Sequence, residues 1–202
     1  MSIDKYPRHK IFFDATRDYR EVLFMAANRV GKSMAGAYCT ACWATGIYPA
    51  WWNGRVFEKE TKGWVCANNN QTLKESVQTA LLGPPGAIGT GMIPKDSILE
   101  VTVKPNTNGM ADLILVKNER SKNPSRINTR TYEQGVDKFM GAACDYIWED
   151  EESNSLIHNE CMMRVMTTKG IVISTFTPLH GLTPLVMEFK KESDELTEGI
   201  LD

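Results

Sequence analysis

Ala26-Ala27-Asn28-Arg29-Val30-Gly31-Lys32-Ser33 is the stretch that decides the fold of this chain. It fits the phosphate-loop pattern G-x-x-x-x-G-K-[ST] except at the first position, where alanine replaces glycine. The apolar run at 21–27 predicts a strand, and small and apolar residues at helical spacing over 32–44 predict a helix. A loop between a strand and a helix turns its backbone N–H groups toward a bound anion. The stretch therefore predicts phosphate binding.

Three residues at the end of this loop have predicted roles that follow from their chemistry. Gly31 allows a phosphate to approach the backbone closely, Lys32 supplies a point charge to the β- and γ-phosphates, and Ser33 supplies a hydroxyl to Mg²⁺. A bare G-K-[ST] tripeptide occurs by chance in roughly one chain in ten of this length, so the flanking strand and helix are needed for specificity. The alternative is an ordinary strand-to-helix turn whose lysine lies in solvent.

Outside the loop, predicted strands and helices alternate along the chain. The predicted strands are 63–67, 98–103, 113–116, 126–132, 144–148 and 170–176, and the predicted helices are 71–82, 156–166 and a solvated helix at 188–198. This alternation predicts an α/β fold with a mainly parallel central sheet flanked by helices. Neither an internal repeat nor a low-complexity tract divides the sequence, so residues 1–202 are predicted to form a single domain.

The composition is that of a globular protein and leaves the function open. Of the 202 residues 42% are hydrophobic and 24% are charged, which excludes a disordered or collagen-like chain. The 23 basic and 25 acidic residues nearly cancel, so contact with nucleic acid requires a local patch. The five cysteines form no zinc-binding pattern and predict reduced, buried thiols in an intracellular protein. No signal peptide or membrane span is predicted.

A run of carboxylates lies far from the loop in sequence. The apolar residues 144–148 lead into Glu149, Asp150, Glu151 and Glu152. Crowded negative charge after a buried strand is costly unless a cation neutralises it, and Mg²⁺ is the natural candidate. The metal ligand and the base that activates water are either Glu149/Asp150 or Asp150/Glu151, and the shorter aspartate at the strand favours Asp150 and Glu151. Glu152 is the second choice for the base. A solvated acidic turn is the alternative.

Taken in order, these motifs resemble the ATPase domain of the large terminase subunit of tailed bacteriophages, the motor that drives DNA into an empty capsid. The order and spacing of the matching stretches agree along nearly the whole chain. The stretches are 28–33 for the phosphate loop, 131–135, 139–141 and 145–152 for the acidic motif, and 164, 167–170 and 175–179 for the later helix and coupling strand. The resemblance implies a P-loop NTPase fold of the RecA-like (ASCE) type.

The resemblance also implies a role for each matching residue. Nucleotide binding falls to the loop residues Asn28, Arg29, Val30, Gly31, Lys32 and Ser33, and to His9 near the start of the chain. Catalysis falls to Glu151, Lys32 and Arg29, and metal binding falls to Ser33 and Asp150. The coupling motif, which senses the γ-phosphate and transmits hydrolysis to DNA movement, is implied to be Thr175 and Thr177.

The chain departs from the family pattern at three places. In many relatives an arginine stands four positions before the lysine, whereas here Arg29 stands three before it and Asn28 takes the other place. His9 occupies the position of a glutamine that reads adenine. Where Glu149 stands the family prefers an apolar residue, which leaves this carboxylate without an assigned role.

The source of the arginine finger stays open. It is either Arg29 within the chain or Arg126 or Arg130 supplied by a neighbouring copy. The latter two belong to a basic cluster that also contains Lys117, Arg120 and Lys122, for which DNA phosphates, a neighbouring subunit and plain solubility are the alternatives. His158 and His180 are interpreted as ordinary surface or helix histidines.

By resemblance, the predicted function is hydrolysis of ATP with Mg²⁺ to power translocation of double-stranded viral DNA into a procapsid. The implied partners are double-stranded DNA, the portal ring, the small terminase subunit and neighbouring copies of the chain in a ring. The implied location is the host cytoplasm, with no membrane contact and no part in the virion structure. The family's nuclease domain is expected to be absent from residues 1–202, so no nuclease activity is expected. The alternatives are a helicase-like or kinase P-loop enzyme and a non-hydrolysing nucleotide-binding assembly module.

Overall fold

The computed structural model describes residues 3–107, 109–179 and 181–198, with side chains as far as residue 191. Within these residues the strands are β1 (Glu21–Met25), β2 (Lys62–Ala67), β3 (Ile98–Val103), β4 (Ala111–Val116), β5 (Ser125–Thr131), β6 (Tyr146–Asp150) and β7 (Ile171–Phe176). The helices are α1 (Pro7–Asp18), α2 (Lys32–Thr45), α3 (Asn70–Thr72), α4 (Thr79–Leu82), α5 (Ser155–Met166) and α6 (Pro184–Glu198). A π-helical segment, Leu73–Gln78, joins α3 to α4.

The strands form one sheet in the order β1-β7-β6-β2-β5-β4-β3. The first five of these are parallel, whereas β4 and β3 add an antiparallel edge. The predicted α/β fold with a mainly parallel sheet is therefore confirmed. The strand β7 lies between β1 and β6, and parallel strands end at the same edge of a sheet. The segments that follow β1, β7 and β6 consequently meet at one place.

The largest difference from the sequence prediction concerns the acidic strand. The strand predicted over 144–148 lies at Tyr146–Asp150, so Glu149 and Asp150 belong to the sheet and are each only 1% exposed. An apolar run ends at the first carboxylate, and the sequence does not show which distant side chains hydrogen-bond to a buried one. The helix α1 is a second difference, because the sequence pattern predicts no helix around His9.

Helices cover both faces of the sheet, and alternate residues of β6 face opposite ways. Tyr146 and Trp148 pack in the cluster that contains α1, α2 and the helix from residue 70 to 82. Ile147 packs in the smaller cluster with α5. Burying a large apolar side chain completely contributes about 1.5–3 kcal/mol. By the same alternation, Asp150 faces α2 and Glu149 faces α5.

Helix α2 packs closely against the sheet at Gly36. A Cβ atom at residue 36 would lie only 2.2 Å from Cε2 of Trp148, whose side chain is fully buried. The indole Nε1 of Trp148 in turn donates a hydrogen bond to Oγ1 of Thr175 at 2.7 Å. Gly36 therefore sets the distance between the helix that follows the phosphate loop and the strands β6 and β7.

We expect Gly36→Ala to lower the free energy of unfolding by about 1–3 kcal/mol, because overpacking a core costs that much. Helix propensity alone would favour alanine by about 1 kcal/mol, so the sign of the change separates the two effects. Guanidinium unfolding followed by tryptophan fluorescence measures it. In a Trp148→Phe background, where the ring is smaller, Gly36→Ala should cost less. A Gly36→Ala protein as stable as the wild type would contradict the close packing.

The five cysteines are all buried and form no disulfide. They lie at positions 39 and 42 in α2, 66 in β2, 144 just before β6 and 161 in α5. This confirms the prediction of buried thiols. Among the described residues, no helix combines the length and the apolar character needed to cross a membrane.

Candidate functional site

The turn that joins β1 to α2 contains two residues with left-handed backbone conformation. Arg29 has a φ of 64° and Gly31 a φ of 86°. A Cβ atom at Gly31 would also lie 3.0 Å from Nε2 of His9, so glycine suits both the conformation and the close approach. For Arg29 the conformation costs about 1–2 kcal/mol. Backbone strain of this kind clusters at ligand-binding turns.

The side chain of Lys32 reaches from the turn to the segment after β7. It is only 8% exposed, and its Nζ donates to the Ala27 carbonyl and to Oγ1 of Thr177, each at 2.8 Å. The Thr177 hydroxyl also lies 2.9 Å from the Ala26 carbonyl and 2.8 Å from Oδ1 of Asn28. The alternative of a helical lysine in solvent is therefore wrong. Lys32 and Thr177, which are 145 positions apart in sequence, are in direct contact.

Asp150, the last residue of β6, faces the beginning of α2. Ser33 Oγ lies 2.8 Å from Oδ1 and 3.1 Å from Oδ2 of Asp150 and donates to this carboxylate. Oγ1 of Thr175 donates to Oδ1 at 2.8 Å, and Oγ of Ser76 donates to Oδ2 at 3.1 Å. Burial raises the pKa of Asp150, although the three hydroxyl donors and the charge of Lys32 oppose this effect. The predicted metal-binding residues thus lie together.

Glu151 follows directly on the turn after β6 and has a φ of 68°. Its N–H donates to the Thr175 carbonyl at 3.1 Å, and its own carbonyl accepts from the Tyr132 hydroxyl at 3.1 Å. Burial, and next the charge of Asp150, raise the pKa of this half-buried carboxyl, against the opposing charge of Lys32. A general base works best when its pKa approaches the operating pH, and the direction of this shift suits that role.

The oxygens of Ser33 and Asp150 fit a magnesium ion that also binds phosphates. Magnesium takes hard oxygen ligands, commonly one or two carboxylates together with substrate phosphates. Here a hydroxyl oxygen lies 2.8 Å from a buried carboxylate oxygen at the N-terminus of a helix. Over the described ranges, no group of three or more His, Cys, Asp or Glu residues is arranged to hold a metal ion by itself.

The other two carboxylates of the acidic run have different surroundings. Glu149 points away from Asp150, to the face covered by α5. Glu152 accepts a hydrogen bond from the hydroxyl of Thr183, in the segment before α6. The carboxylate beside the phosphate loop is thus Asp150, and Glu151 is the residue that follows it on the turn. Glu149 of the alternative pair Glu149/Asp150 thus faces the other side of the sheet, and the assignment of Asp150 as metal ligand and Glu151 as base stays a prediction.

Glu149 belongs to a buried ionic cluster. Its Oε2 lies 2.7 Å from Nδ1 of His158 and accepts from the Ser174 hydroxyl at 3.0 Å, while Nε2 of His158 lies 2.6 Å from Oε1 of Glu21. Burial lowers the pKa of His158, but the two carboxylates outweigh burial and raise it to about 10. His158 does lie on a helix, but at 3% exposure it is not an ordinary surface histidine. His180 lies outside the described residues.

A cavity of about 680 Å³ opens beside the phosphate-loop turn. Its walls include Arg29 and Gly31 on the loop side and several aromatic rings. The rings of Tyr38 and Trp51 stack with centroids 5.8 Å apart. His9 also lines the cavity, and its Nε2 lies 3.3 Å from the Gly31 carbonyl. Mostly apolar cavities of this size accommodate small molecules, and flat aromatic walls suit a planar base.

Arg126 and Arg130, the predicted sources of an arginine finger from a neighbouring copy, have different environments. The guanidinium of Arg130 stacks on its own chain, 4.0 Å from the centroid of the Trp64 ring, and donates to the Lys138 carbonyl. Arg126 is exposed and pairs in register with Lys62 at the beginning of β2, the sheet edge opposite the phosphate loop. Arg126 and Arg130 therefore lie near opposite ends of β5.

Sequence reasoning missed one hydroxyl of this site. Ser76 lies in the helix after β2, 74 positions from the carboxylate that it contacts. The helical pattern over 71–82 identifies the buried side of this helix, and Ser76 is next to the buried Val77. The sequence therefore shows only that Ser76 lies near the core, and this does not predict that its hydroxyl contacts Asp150.

Comparison with known proteins identifies the family of this chain. The sequence model of the family described as "Terminase large subunit, T4likevirus-type, N-terminal" matches residues 23–198. The large terminase subunit of Salmonella phage P22 is 31% identical over 205 residues, which cover 92% of this chain and 41% of the P22 protein. The chain thus spans about two fifths of the length of this relative.

Two solved structures share the fold. One is the large terminase of a thermophilic bacteriophage in complex with ADP, with a TM-score of 0.52 and 14% identity over 79% of this chain and 33% of that one. Another crystal form of the same terminase gives a TM-score of 0.58 at 14% identity over 88% of this chain and 39% of that one. At this identity the likeness shows the fold alone, which is the predicted RecA-like P-loop architecture. Since the family match extends over most of the sequence, this chain belongs to the large terminase subunit family and corresponds to its N-terminal part.

Proposed function

We propose that residues 1–202 form the ATPase domain of a DNA-packaging motor, which hydrolyses ATP to ADP and phosphate and so drives double-stranded viral DNA into a procapsid. The observation that carries this proposal is the contact between Ser33 and Asp150, 2.8 Å apart although 117 positions separate them in sequence. It joins the phosphate-loop turn to the acidic strand, as a site for a metal-bound triphosphate requires.

Each residue of the site has a defined part in the proposed reaction. The loop N–H groups from Asn28 to Ser33 and the ammonium of Lys32 bind the β- and γ-phosphates and balance their charge. Glu151 accepts a proton from the water whose oxygen attacks the γ-phosphorus. The bond between this phosphorus and the bridging oxygen of ADP breaks, and ADP takes the electron pair. Ser33 and Asp150 would hold a magnesium ion, which would supply further positive charge to the phosphate oxygens.

Thr175 and Thr177 are proposed to couple hydrolysis to DNA movement. Thr177 contacts Lys32 at 2.8 Å, and Thr175 contacts Asp150 at 2.8 Å. The two hydroxyls thus touch the ammonium proposed to bind the phosphates and the carboxylate proposed to bind the metal. Thr175 lies near the end of β7, and Thr177 lies directly after it, in the segment that leads to α6. A movement of Lys32 or Asp150 during hydrolysis would therefore be transmitted through one hydrogen bond to the end of β7 and the segment before α6.

The aromatic cavity is the proposed site for the base of ATP. Its position beside Arg29 and Gly31 lets one ligand occupy both the cavity and the loop. His9 is proposed to contact the base. Arg29 is proposed to stabilise the transferred phosphate from within the chain, with Arg126 or Arg130 of a neighbouring copy as the alternative source of an arginine finger.

The proposed partners follow from family membership. They are double-stranded DNA, the portal ring, the small terminase subunit and neighbouring copies of the chain in a ring, in the cytoplasm of the host. Translocation itself is tested with the full-length protein, procapsids and double-stranded DNA. Nuclease-protected DNA should accumulate with ATP and should not accumulate when a non-hydrolysable analogue replaces it.

The nucleotide site is tested by titrating a fluorescent ADP analogue with magnesium into the wild type and Lys32→Ala. We expect Lys32→Ala to weaken binding about 10- to 100-fold, because a hydrogen bond from a charged group contributes about 1.5–3 kcal/mol. Lys117→Ala is the control, since Lys117 is exposed and pairs with Glu119 at 2.6 Å. Equal affinity in the wild type and Lys32→Ala would refute the proposed site.

The reaction class is tested by phosphate release from ATP by the wild type. Release of inorganic phosphate supports the ATPase. Binding without any release would instead indicate a nucleotide-binding assembly module. Transfer of the phosphoryl group to a small acceptor would indicate a kinase.

A further inference from the structure

The helix after β2 brings a hydroxyl group to the carboxylate of Asp150. Since β2 lies beside β6 in the sheet, the helix that begins at Asn70 starts next to the end of β6. Leu73 and Val77 anchor this helix in the core, where both are fully buried. Between them Ser76 is half-buried, and its Oγ donates to Oδ2 of Asp150 at 3.1 Å.

The backbone that carries Ser76 has an unusual conformation. The segment Leu73–Gln78 is π-helical, and π-helical turns are rare and occur frequently at functional sites. The side chain of Gln78 fixes the end of this segment, because it accepts from the Ala111 N–H at 2.9 Å and donates to the Gly109 carbonyl at 3.1 Å. The hydroxyl of Ser76 is therefore held in place by both the core and the strand β4.

The three hydroxyl donors to Asp150 are not equivalent. Ser33 is the proposed metal ligand, so its oxygen serves the metal as well as the carboxylate. Thr175 holds Oδ1 and is itself held by the indole of Trp148 at 2.7 Å. Ser76 holds Oδ2 from a different structural element. Thr175 and Ser76 thus each donate a hydrogen bond to a different oxygen of the carboxylate, which fixes the rotation of the carboxylate plane.

We infer that Ser76 is a positioning residue for Asp150, which sets the orientation in which this carboxylate meets a magnesium–nucleotide complex. The inference rests on the proposed function. Hydrogen-bond donors behind a metal-binding carboxylate commonly change metal affinity 10- to 100-fold when they are removed. Without the Ser76 hydroxyl, Oδ2 would keep only the longer contact of 3.1 Å from Ser33.

The test measures binding of the fluorescent ADP analogue with magnesium and with EDTA. The dissociation constant in EDTA divided by the dissociation constant with magnesium reports the magnesium-dependent part of the affinity. A lower ratio means that magnesium strengthens binding less. We expect Ser76→Ala to lower this ratio about tenfold while the dissociation constant in EDTA stays within about twofold of the wild type. Ser76→Thr, which keeps a hydroxyl, should restore the ratio. Mn²⁺ binding followed by electron paramagnetic resonance, with ADP present, should show the same order of affinities.

Thr79→Ala is the matched control. Thr79 lies three positions further along the same helix, and its hydroxyl donates to the Lys74 carbonyl at 3.0 Å. Its substitution should leave the ratio unchanged. An unchanged ratio in Ser76→Ala, or an equal fall in Thr79→Ala, would overturn the inference while leaving the proposed function intact. Absence of ADP binding in the wild type, with and without magnesium, would overturn both.

Discussion

Glu151→Gln is expected to lower ATP turnover about 10²- to 10⁴-fold, the usual contribution of a positioned general base. Glutamine has the same size and no basic carboxylate, so the position next to Asp150 is kept while proton acceptance is lost. Nucleotide binding should remain within a few fold of the wild type, since Lys32 and Ser33 are untouched. Steady-state phosphate release measures the turnover, and titration with the fluorescent ADP analogue measures the binding.

Glu152→Gln is the matched control for this prediction, because the two carboxylates are adjacent in sequence but have different surroundings. Glu152 accepts a hydrogen bond from Thr183, which a glutamine can still provide through its amide oxygen. Turnover should therefore change by only a few fold. If Glu152→Gln abolished turnover and Glu151→Gln did not, the base would be Glu152, the second choice from the sequence.

His158→Ala is expected to lower the free energy of unfolding by about 3–5 kcal/mol, because it leaves Glu149 in the core without its opposite charge. Glu149 is 1% exposed and would keep neutral partners alone, the hydroxyls of Ser174 and Ser153 at 3.0 and 3.3 Å and the thiol of Cys161. Guanidinium unfolding at pH 7 measures the loss. The free energy of unfolding of a small domain is only about 5–15 kcal/mol in total, so a loss of this size could unfold the protein. His158→Gln, which keeps hydrogen-bonding capacity, serves as a milder second variant.

Two comparisons check that the charge of His158 is the cause. Removing Glu149 as well, in His158→Gln/Glu149→Gln, should recover part of the stability, because no buried charge is then unpaired. Lys10→Ala breaks the more exposed pair of Lys10 with Asp14 and should cost only about 0.3–0.5 kcal/mol. A loss below 1 kcal/mol in His158→Ala would contradict the ionic cluster.

The free energy of unfolding should fall as the pH rises above about 6.5, because of His158. The pKa of about 10 for folded His158 lies above the ordinary value of 6.5. The folded protein therefore keeps a proton that the unfolded chain releases between these values, so the stabilisation is full below pH 6.5 and is lost as the pH rises toward 10. From pH 6.5 to 8 the wild type should lose about 1.6 kcal/mol of its free energy of unfolding, and His158→Gln should not show this loss. Buried thiols contribute in the same direction only nearer their ordinary pKa of 9.0.

The parts of the molecule that the sequence predicts are those with local patterns. The phosphate loop has a fixed spacing between Gly31, Lys32 and Ser33, and the flanking strand and helix are visible as apolar runs. The same runs give the α/β class and the parallel sheet. Strand ends are less certain, because an apolar run stops at Glu149 whereas the strand continues through Asp150.

The parts that the sequence does not predict depend on contacts between distant residues. His158 is buried and charged only because Glu21 and Glu149 reach it from two different strands. Ser76 contacts Asp150 only because the helix after β2 starts beside the end of β6. The residues that flank His158 and Ser76 in sequence predict neither the charge of the histidine nor the hydrogen-bond partner of the serine.

The five buried cysteines have a practical consequence for studying this protein. Burial raises the pKa values of all five thiols, so a thiol-specific reagent at neutral pH should react only with molecules that have opened. Cys39 and Cys42 lie in α2, the helix that follows the phosphate loop. Cys161 lies in α5, the helix that carries His158. Their separate labelling rates, resolved by mass spectrometry, would report which side of the sheet opens first without any engineered probe.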